Sequence, residues 1–309
     1  MSPPDGTRLA TLTIVRVADR TITRLTVAAV LGGVLLGRAV GSRATSDQAP
    51  ASSTSQGRTE RTSAAVLSEH ELEVLDAMSA QNQAELLLER SINHFRGANE
   101  QIAARAEGWL GQIRSTPRLE NLFDTAINSD DLKVRVAGID VNIAARNLEK
   151  SSTTVDRLES VARSGEQGPR ANALWNLGLL GNRGVQPQRV FEILLSSIHD
   201  DNENVRYWAV EGLAYLGRDE VIAPLLEVFH DDRSGTIRER AACGLAQSGM
   251  LNEKQRWTAV PRLLDYAEDF GLDPETRSWV FQALRDITGQ TMLPDPTLWR
   301  TWYRSTSAR

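Results

Sequence analysis

Cysteine is almost absent from this sequence, because Cys243 is the one cysteine among 309 residues. An intrachain disulfide is therefore excluded, and since the thiol lies in the apolar run RAACGLAQSG we expect it to be buried and unreactive. The chain also shows no Ser/His/Asp order, no Cys/His pairing and no glycine-rich phosphate loop. The sequence therefore predicts no catalytic residues and no cofactor.

Positive charge is scarce outside the N-terminal segment. Residues 1–63 carry eight arginines and four acidic residues, which is a net charge of +4 in a chain whose total is −5. Residues 64–309 therefore have a net charge of −9. Binding to phosphate backbones without sequence preference requires a basic surface. The charge balance thus excludes nucleic acid from the expected partners.

Long apolar runs are missing as well, since none reaches the roughly 20 residues that span a bilayer. The run LTVAAVLGGVLLG at 25–37 has thirteen residues and follows four arginines. This length favours a signal peptide, with a single membrane anchor and a buried soluble helix as alternatives. Either of the first two places the remaining chain at the cell envelope, outside the cytoplasm, whereas the third is cytoplasmic. A lipoprotein anchor is excluded because no cysteine follows the run.

Three segments follow from these patterns. Residues 1–40 form the basic flank with the apolar signal peptide or anchor, through which the chain can associate with a membrane. Residues 41–64 are rich in Ser, Thr, Gly and Gln and are predicted to be a disordered linker. Residues 65–309 have the composition of a packed domain.

Within that domain the chain repeats itself. Residues 199–217 read HDDNENVRYWAVEGLAYLG, and residues 230–249 read HDDRSGTIRERAACGLAQSG. When the two are aligned on Arg206 and Arg238, both have Ala at +3, Leu at +7 and Gly at +11. These steps keep one face of an α-helix toward a neighbour, and a Gly just after the last turn suits a left-handed cap. The same pattern starts at Arg170. A variant starts at Arg277, with Val280 at +3 and Gly289 one residue late, and a weaker copy with Asn142 and Arg146 at +7 and +11 starts at Arg135.

An amphipathic run follows or precedes each of these helices, as in VIAPLLEVFH. A helical pair cannot bury its apolar face alone, so copies that recur every 32 to 39 residues must stack. The sequence predicts an all-α fold, an α-solenoid superhelix of about six helical pairs. Trp299, Trp302 and Tyr303 predict a C-terminal capping helix, and Ser68 with Glu71 predicts a capping box at the other end.

The pattern R-x2-A-x3-L-x3-G followed by A-x-P-x-L resembles the HEAT-repeat proteins of the bacterial lyase-like subtype, over residues 99–290. For most relatives this resemblance implies binding of proteins or peptides. The resemblance also suggests three enzyme activities that can be compared with the residues. A di-iron hydroxylase would need paired His-Glu motifs, whereas His70–Glu71 is solitary. A bilin lyase has no specific pocket signature here, and a DNA glycosylase would need a basic face.

His199 and His230 end equivalent runs, and each is followed by Asp-Asp. The two histidines could bind a metal ion as ligands from adjacent repeats. A better interpretation is that each His complements the dipole at a helix C-terminus, while the following Asp caps the next helix. We therefore predict no metal. The Asp pairs at 130–131, 200–201 and 231–232 predict an acidic row of turns.

The best candidates for binding are Tyr207 and Trp208, with Arg206, Arg238 and Trp279 beside them, because Trp, Tyr and Arg dominate interface energies. The function predicted is a non-catalytic scaffold or adaptor that binds a protein or peptide at the cell envelope. One alternative is a metal-dependent or lyase-like enzyme, or an enzyme subunit, with a site assembled between repeats. Another is a structural scaffold of an envelope complex. The sequence leaves the oligomeric state open.

Overall fold

The computed structural model describes residues 66–307, and these residues form fifteen α-helices and two short 3₁₀ turns. The described residues contain no β-strand, and Val66 and Arg96 form an isolated bridge. The helices are α1 (Glu69–Asp76), α2 (Ala80–Ile92), α3 (Ala98–Arg105), α4 (Pro117–Ile127), α5 (Leu132–Ala145), α6 (Ser152–Ala162), α7 (Gln167–Asn182), α8 (Pro187–Ser197), α9 (Glu203–Leu216), α10 (Ile222–Asp231), α11 (Gly235–Ala246), α12 (Glu253–Trp257), α13 (Val260–Glu268), α14 (Pro274–Thr288) and α15 (Pro296–Ser307).

The helices pack as six successive pairs, which are α2–α3, α4–α5, α6–α7, α8–α9, α10–α11 and α13–α14. The second helices of the last four pairs, α7, α9, α11 and α14, pack side by side, and we call them the inner row. Helix α15 packs on α13 and buries Trp299 completely. The predicted all-α solenoid of about six pairs with a C-terminal capping helix is therefore confirmed.

The spacing of the repeat explains the packing of the inner row. Its +3 and +7 positions lie at the helix contacts, where side chains of these sizes let neighbouring helices approach and fill the gap between them. All of them are at most 1% exposed. They are Ala173, Ala209, Ala241 and Val280 at +3, and Leu177, Leu213, Leu245 and Leu284 at +7.

The glycines of the repeat have more than one role. Gly217 and Gly289 are left-handed C-caps with φ of 67° and 69°, as predicted. Gly249 is also left-handed, but it lies three residues after the end of α11. The prediction is wrong for Gly181, which lies inside α7, where an added Cβ would come 2.6 Å from Cδ1 of Leu216. That glycine is required by close packing rather than by a turn.

Helix α5, which carries the weak copy of the repeat, departs from the inner row. One side of α5 belongs to the core of α1–α4, and Ile139 and Ile143 on its other side belong to the core of the later helices. At its N-terminus the buried Arg135 donates to the carbonyl oxygens of Gly249 and Gln247, just beyond the end of α11. Helix α5 thus reaches the C-terminal end of α11 instead of continuing the regular stack.

The capping box is confirmed, because the hydroxyl of Ser68 accepts from the backbone of Glu71 while the Glu71 carboxylate accepts from the backbone of Ser68. The segments predicted at 1–40 and 41–64 lie outside the described residues. Within residues 66–307, no helix combines the length and the apolar character that a bilayer crossing requires.

Candidate functional site

Three of the arginines that start a copy of the repeat form a ladder along one edge of the inner row. Each guanidinium pairs with an aspartate in the turn before the next inner-row helix. Such a ladder ties each inner-row helix to the next by a charge-assisted bond. The pairs of this arginine ladder are Arg170–Asp200, Arg206–Asp232 and Arg238–Asp273.

Arg206 occupies the middle of the ladder and is buried. Its Nε lies 2.8 Å and its Nη2 3.1 Å from the two carboxylate oxygens of Asp232, and its Nη1 donates to the carbonyl oxygens of Asp200 and Asp201. The hydrogen bonds to Asp232 raise the pKa of Arg206 against the opposing effect of burial. Arg238 lies in the next pair and also donates to Thr276. These two candidate binding residues therefore have structural partners at the edge of the row.

The two histidines lie in the same turns. His199 is exposed, with its Nε2 3.6 Å from Glu227. His230 is contacted on both ring nitrogens, by Asp231 at 2.5 Å and Asp269 at 2.9 Å. Partial burial lowers the pKa of His230, but the two carboxylates outweigh it, so that its pKa is raised. Among residues 66–307 no group of three His, Cys, Asp or Glu side chains is placed to hold a metal ion.

The predicted capping role of the aspartates after these histidines is wrong. The N-cap of α9 is Asn202, whose side chain accepts from the backbone of Val205. Asp200 instead pairs with Arg170 and accepts from the backbone N–H of Asn202, both of which lower its pKa against burial. The aspartate therefore orders the turn before the helix, and an amide side chain caps the helix itself.

The candidate aromatic residues lie on the accessible side of three neighbouring inner-row helices, α9, α11 and α14. We call this side, which carries Tyr207, Trp208 and Trp279, the front face. Tyr207 and Trp208 are both half-buried, with ring centroids 5.6 Å apart in an edge-on arrangement. The ring of Trp175 in α7 lies 5.8 Å from that of Trp208. Tyr207 and Trp208 thus combine a packed base with an accessible surface, which is the form that interface anchors take.

A buried ion pair joins this aromatic group to α11. Glu211 and Arg240 are 12% and 14% exposed, and their Oε1 and Nε atoms lie 2.5 Å apart. Burial lowers the pKa of Arg240, but the Glu211 carboxylate outweighs it and the pKa is raised. Burial, reinforced by Glu211, also raises the pKa of Tyr215 to about 12. The pair holds α9 and α11 in one arrangement behind the front face.

The front face contains a cavity of about 190 Å³ between α11 and α14. Trp279, the remaining candidate binding residue, lines it together with Cys243. Cys243 is half-buried rather than fully buried as predicted, and burial raises the pKa of its thiol. Glu239 and Asp286 also line the cavity and add negative charge. Trp279 therefore lines the same cavity as an accessible thiol and two carboxylates.

Comparison with known proteins supports the repeat architecture. A family model described as HEAT repeats matches residues 155–246, which extend from within α6 to the last residue of α11. Residues 155–246 are therefore HEAT repeats. The matched stretch contains two of the three pairs of the arginine ladder, and the lyase-like subtype remains a prediction.

Solved structures similar to this chain include engineered ones. One is an engineered protein that is 18% identical over 68% of this chain and 100% of its own, with a TM-score of 0.33. Another is a designed armadillo repeat protein, 14% identical over 66% of this chain and 100% of its own, with a TM-score of 0.31. No curated protein matches this chain in sequence.

Sequence reasoning proposed Tyr207, Trp208 and Trp279 as binding residues, and the structure leaves all three side chains partly accessible. It did not identify Glu239 and Asp286. A signal for them exists, because the side of α11 opposite the buried Ala and Leu positions carries a carboxylate at 239 and a thiol at 243, one turn apart. That spacing marks a continuous solvent-facing stripe on the helix.

Proposed function

We propose that this protein is a non-catalytic scaffold that binds a protein or peptide on its front face. The observation that carries the proposal is the combination of the half-buried Tyr207 and Trp208 with a cavity lined by Trp279, on three adjacent helices. Aromatic side chains with accessible surface on a rigid, packed base are the usual anchors of protein interfaces.

The dimensions of the front face suit an extended peptide. Neighbouring packed helices lie about 8–10 Å apart, so α9, α11 and α14 together present a width of roughly 20 Å. An extended chain rises about 3.3 Å per residue, and about six residues cross this width. A peptide segment of that length reaches from Tyr207 to Trp279.

The test is crosslinking and affinity purification of the full-length chain from its native cells. We expect a recurrent partner that is lost when Tyr207→Ala and Trp208→Ala are combined. Phe270→Ala is the matched control, since Phe270 is an 85% exposed aromatic outside the front face. A partner that survives the double substitution, or is lost equally in the control, contradicts the proposal.

Loss of the partner must be separated from loss of the fold, because Trp208 packs against the core. Gln282→Trp gives this separation, since Gln282 is exposed and lines the same cavity. The new side chain obstructs the face without removing a buried contact. We expect this variant to keep the unfolding midpoint of the native chain and to lose the partner.

We further propose that the scaffold acts at the cell envelope. The support is the thirteen-residue apolar run at 25–37 behind four arginines. Fractionation of the native cells, with mass spectrometry of the N-terminus, tests this placement. A chain recovered in the soluble cytoplasmic fraction with its N-terminus intact contradicts it.

A further inference from the structure

The cavity between α11 and α14 is small and has mixed walls. Its volume of about 190 Å³ is below the roughly 300 Å³ at which pockets for small-molecule ligands begin. Ala242, Ala283 and Trp279 supply apolar lining, and a longer side chain in place of either alanine would fill the space. The cavity therefore has room for one side chain of a partner rather than for a separate ligand.

The charge in the cavity has one sign. Glu239 and Asp286 line it, and none of its nine lining residues is Lys, Arg or His. Glu239 is exposed, and no described residue forms an ion pair with it. The carboxylate of Asp286 accepts from the amide nitrogens of Gln247 at 2.6 Å and Gln282 at 2.7 Å, which fix its position without neutralising its charge.

The cations next to these carboxylates in sequence have other partners. Arg240 follows Glu239 but pairs with Glu211 on the α9 side. Arg285 precedes Asp286 but donates to the side-chain oxygen of Gln282. Neither guanidinium lines the cavity. Asp286 also lines a second cavity on its other side together with Arg135 and Arg256, and these guanidiniums partly offset its charge. The carboxylate that is fully available to a partner is therefore that of Glu239.

An aromatic ring, an apolar wall and carboxylates together recognise a side chain with an aliphatic stem and a cationic end. Lys and Arg have this form, because their methylene groups pack on apolar surface while the charge remains at the tip. A cation near the face of a Trp ring gains further attraction. The net charge of −9 on residues 64–309 also attracts a basic segment from a distance.

We infer that the cavity bordered by Glu239, Trp279 and Asp286 is a specificity pocket for a lysine or arginine side chain of an extended peptide partner. This inference rests on the proposed function, since the same front face must bind the rest of the peptide. The aliphatic stem lies along Ala242, Ala283 and Trp279, and the cationic end meets the two carboxylates.

The probe for the test is a random library of displayed heptapeptides, selected against the full-length chain. Cys243 provides an independent measure of occupancy, because it is the single cysteine of the chain and lines the cavity. A small methanethiosulfonate reagent reacts with its thiol at alkaline pH. A peptide that fills the pocket slows this reaction, and one that binds elsewhere leaves the rate unchanged.

The expected result is enrichment of Lys or Arg at one position of the selected peptides. Replacing that residue by norleucine should weaken binding about fivefold or more, and Glu239→Gln should weaken it by about fivefold, as for a partly exposed ion pair. Glu149→Gln is the matched control, because Glu149 is an exposed glutamate outside the cavity and the change in charge is identical.

The outcomes separate the two proposals. Peptides that bind and protect Cys243 without any preference for a basic residue overturn this inference and leave the proposed function intact. Equal effects of Glu239→Gln and Glu149→Gln overturn it in the same way. Failure of every peptide in the library to bind overturns peptide recognition on the front face, and with it the specificity pocket.

Discussion

The closest approach of α7 and α9 depends on two glycines that face each other. A Cβ added at Gly178 would lie 2.5 Å from the carbonyl oxygen and 2.6 Å from the Cα of Gly212. Both of these atoms are backbone, so no change of rotamer relieves the overlap. The substitution Gly178→Ala therefore forces the first two helices of the inner row apart.

The size of the effect follows from these distances. Contacts between carbon and a carbonyl oxygen normally begin at about 3.3 Å, so the helices must separate by nearly 1 Å. Overpacking of a core costs about 1–3 kcal/mol, and a clash with backbone lies at the upper end. The higher helix propensity of alanine offsets about 1 kcal/mol. We expect a net loss of about 2 kcal/mol in the free energy of unfolding and a melting temperature about 4–8 °C lower.

Urea unfolding of the full-length chain, followed by tryptophan fluorescence, measures this loss. Gly235→Ala is the control, because its added methyl would meet atoms no closer than 3.7 Å, at the ordinary distance. Since Gly235 is the first residue of α11, alanine there should be neutral or stabilise by about 0.5 kcal/mol. If Gly178→Ala is as stable as the native chain, the close approach of α7 and α9 is not the constraint described above.

Three further predictions concern charged and titrating groups. Arg206→Met leaves a buried carboxylate without its partner and should cost about 3–5 kcal/mol in urea unfolding, whereas Arg218→Met, at an exposed pair, should change stability by less than about 1 kcal/mol. The raised pKa of His230 contributes stability that is complete below the pKa of the unfolded chain, near 6.5, and is lost as pH rises through the folded value. His230→Gln should therefore reduce the fall in melting temperature above pH 6.5. The substitution His199→Gln, at an exposed histidine, should not change that fall. In a spectrophotometric titration, Tyr215→Phe should remove the phenolate absorbance that appears at about pH 12. A loss of absorbance near pH 10 instead contradicts the burial of that hydroxyl.

The regular part of the fold is predictable from sequence because its cause is local and recurs. In the four inner-row helices, Ala or Val at +3 and Leu at +7 from the repeat arginine define the contact face, and the structure buries all of them. The partners of the arginines were not predicted, although the signal was present. The aspartates at 200 and 232 occupy matching places before successive helices, where a ladder of ion pairs needs an acid.

The path of α5 is the part that local patterns do not determine. Its repeat is degenerate at Asn142 and Arg146, which indicated weaker packing in a row but not a new direction. The direction depends on Arg135 and a carbonyl more than 100 residues later in the chain. The cavity could not be predicted for the same reason, because it depends on the spacing between α11 and α14. Contacts of this kind result from the stacking of whole helices.

The bond from Arg135 to the carbonyl of Gly249 also changes how the array should fold and evolve. In an open solenoid each unit contacts its neighbours alone, so units can be gained or lost and unfolding can proceed from an end. Here the bond joins α5, which carries the weak copy, to the segment after α11, and this closure makes the intervening helices a cooperative block. Inserting or deleting one unit of about 35 residues inside that block would move Gly249 out of reach of Arg135. The number of repeats between these two residues is therefore fixed by geometry, whereas this bond sets no limit on the number of units after Gly249.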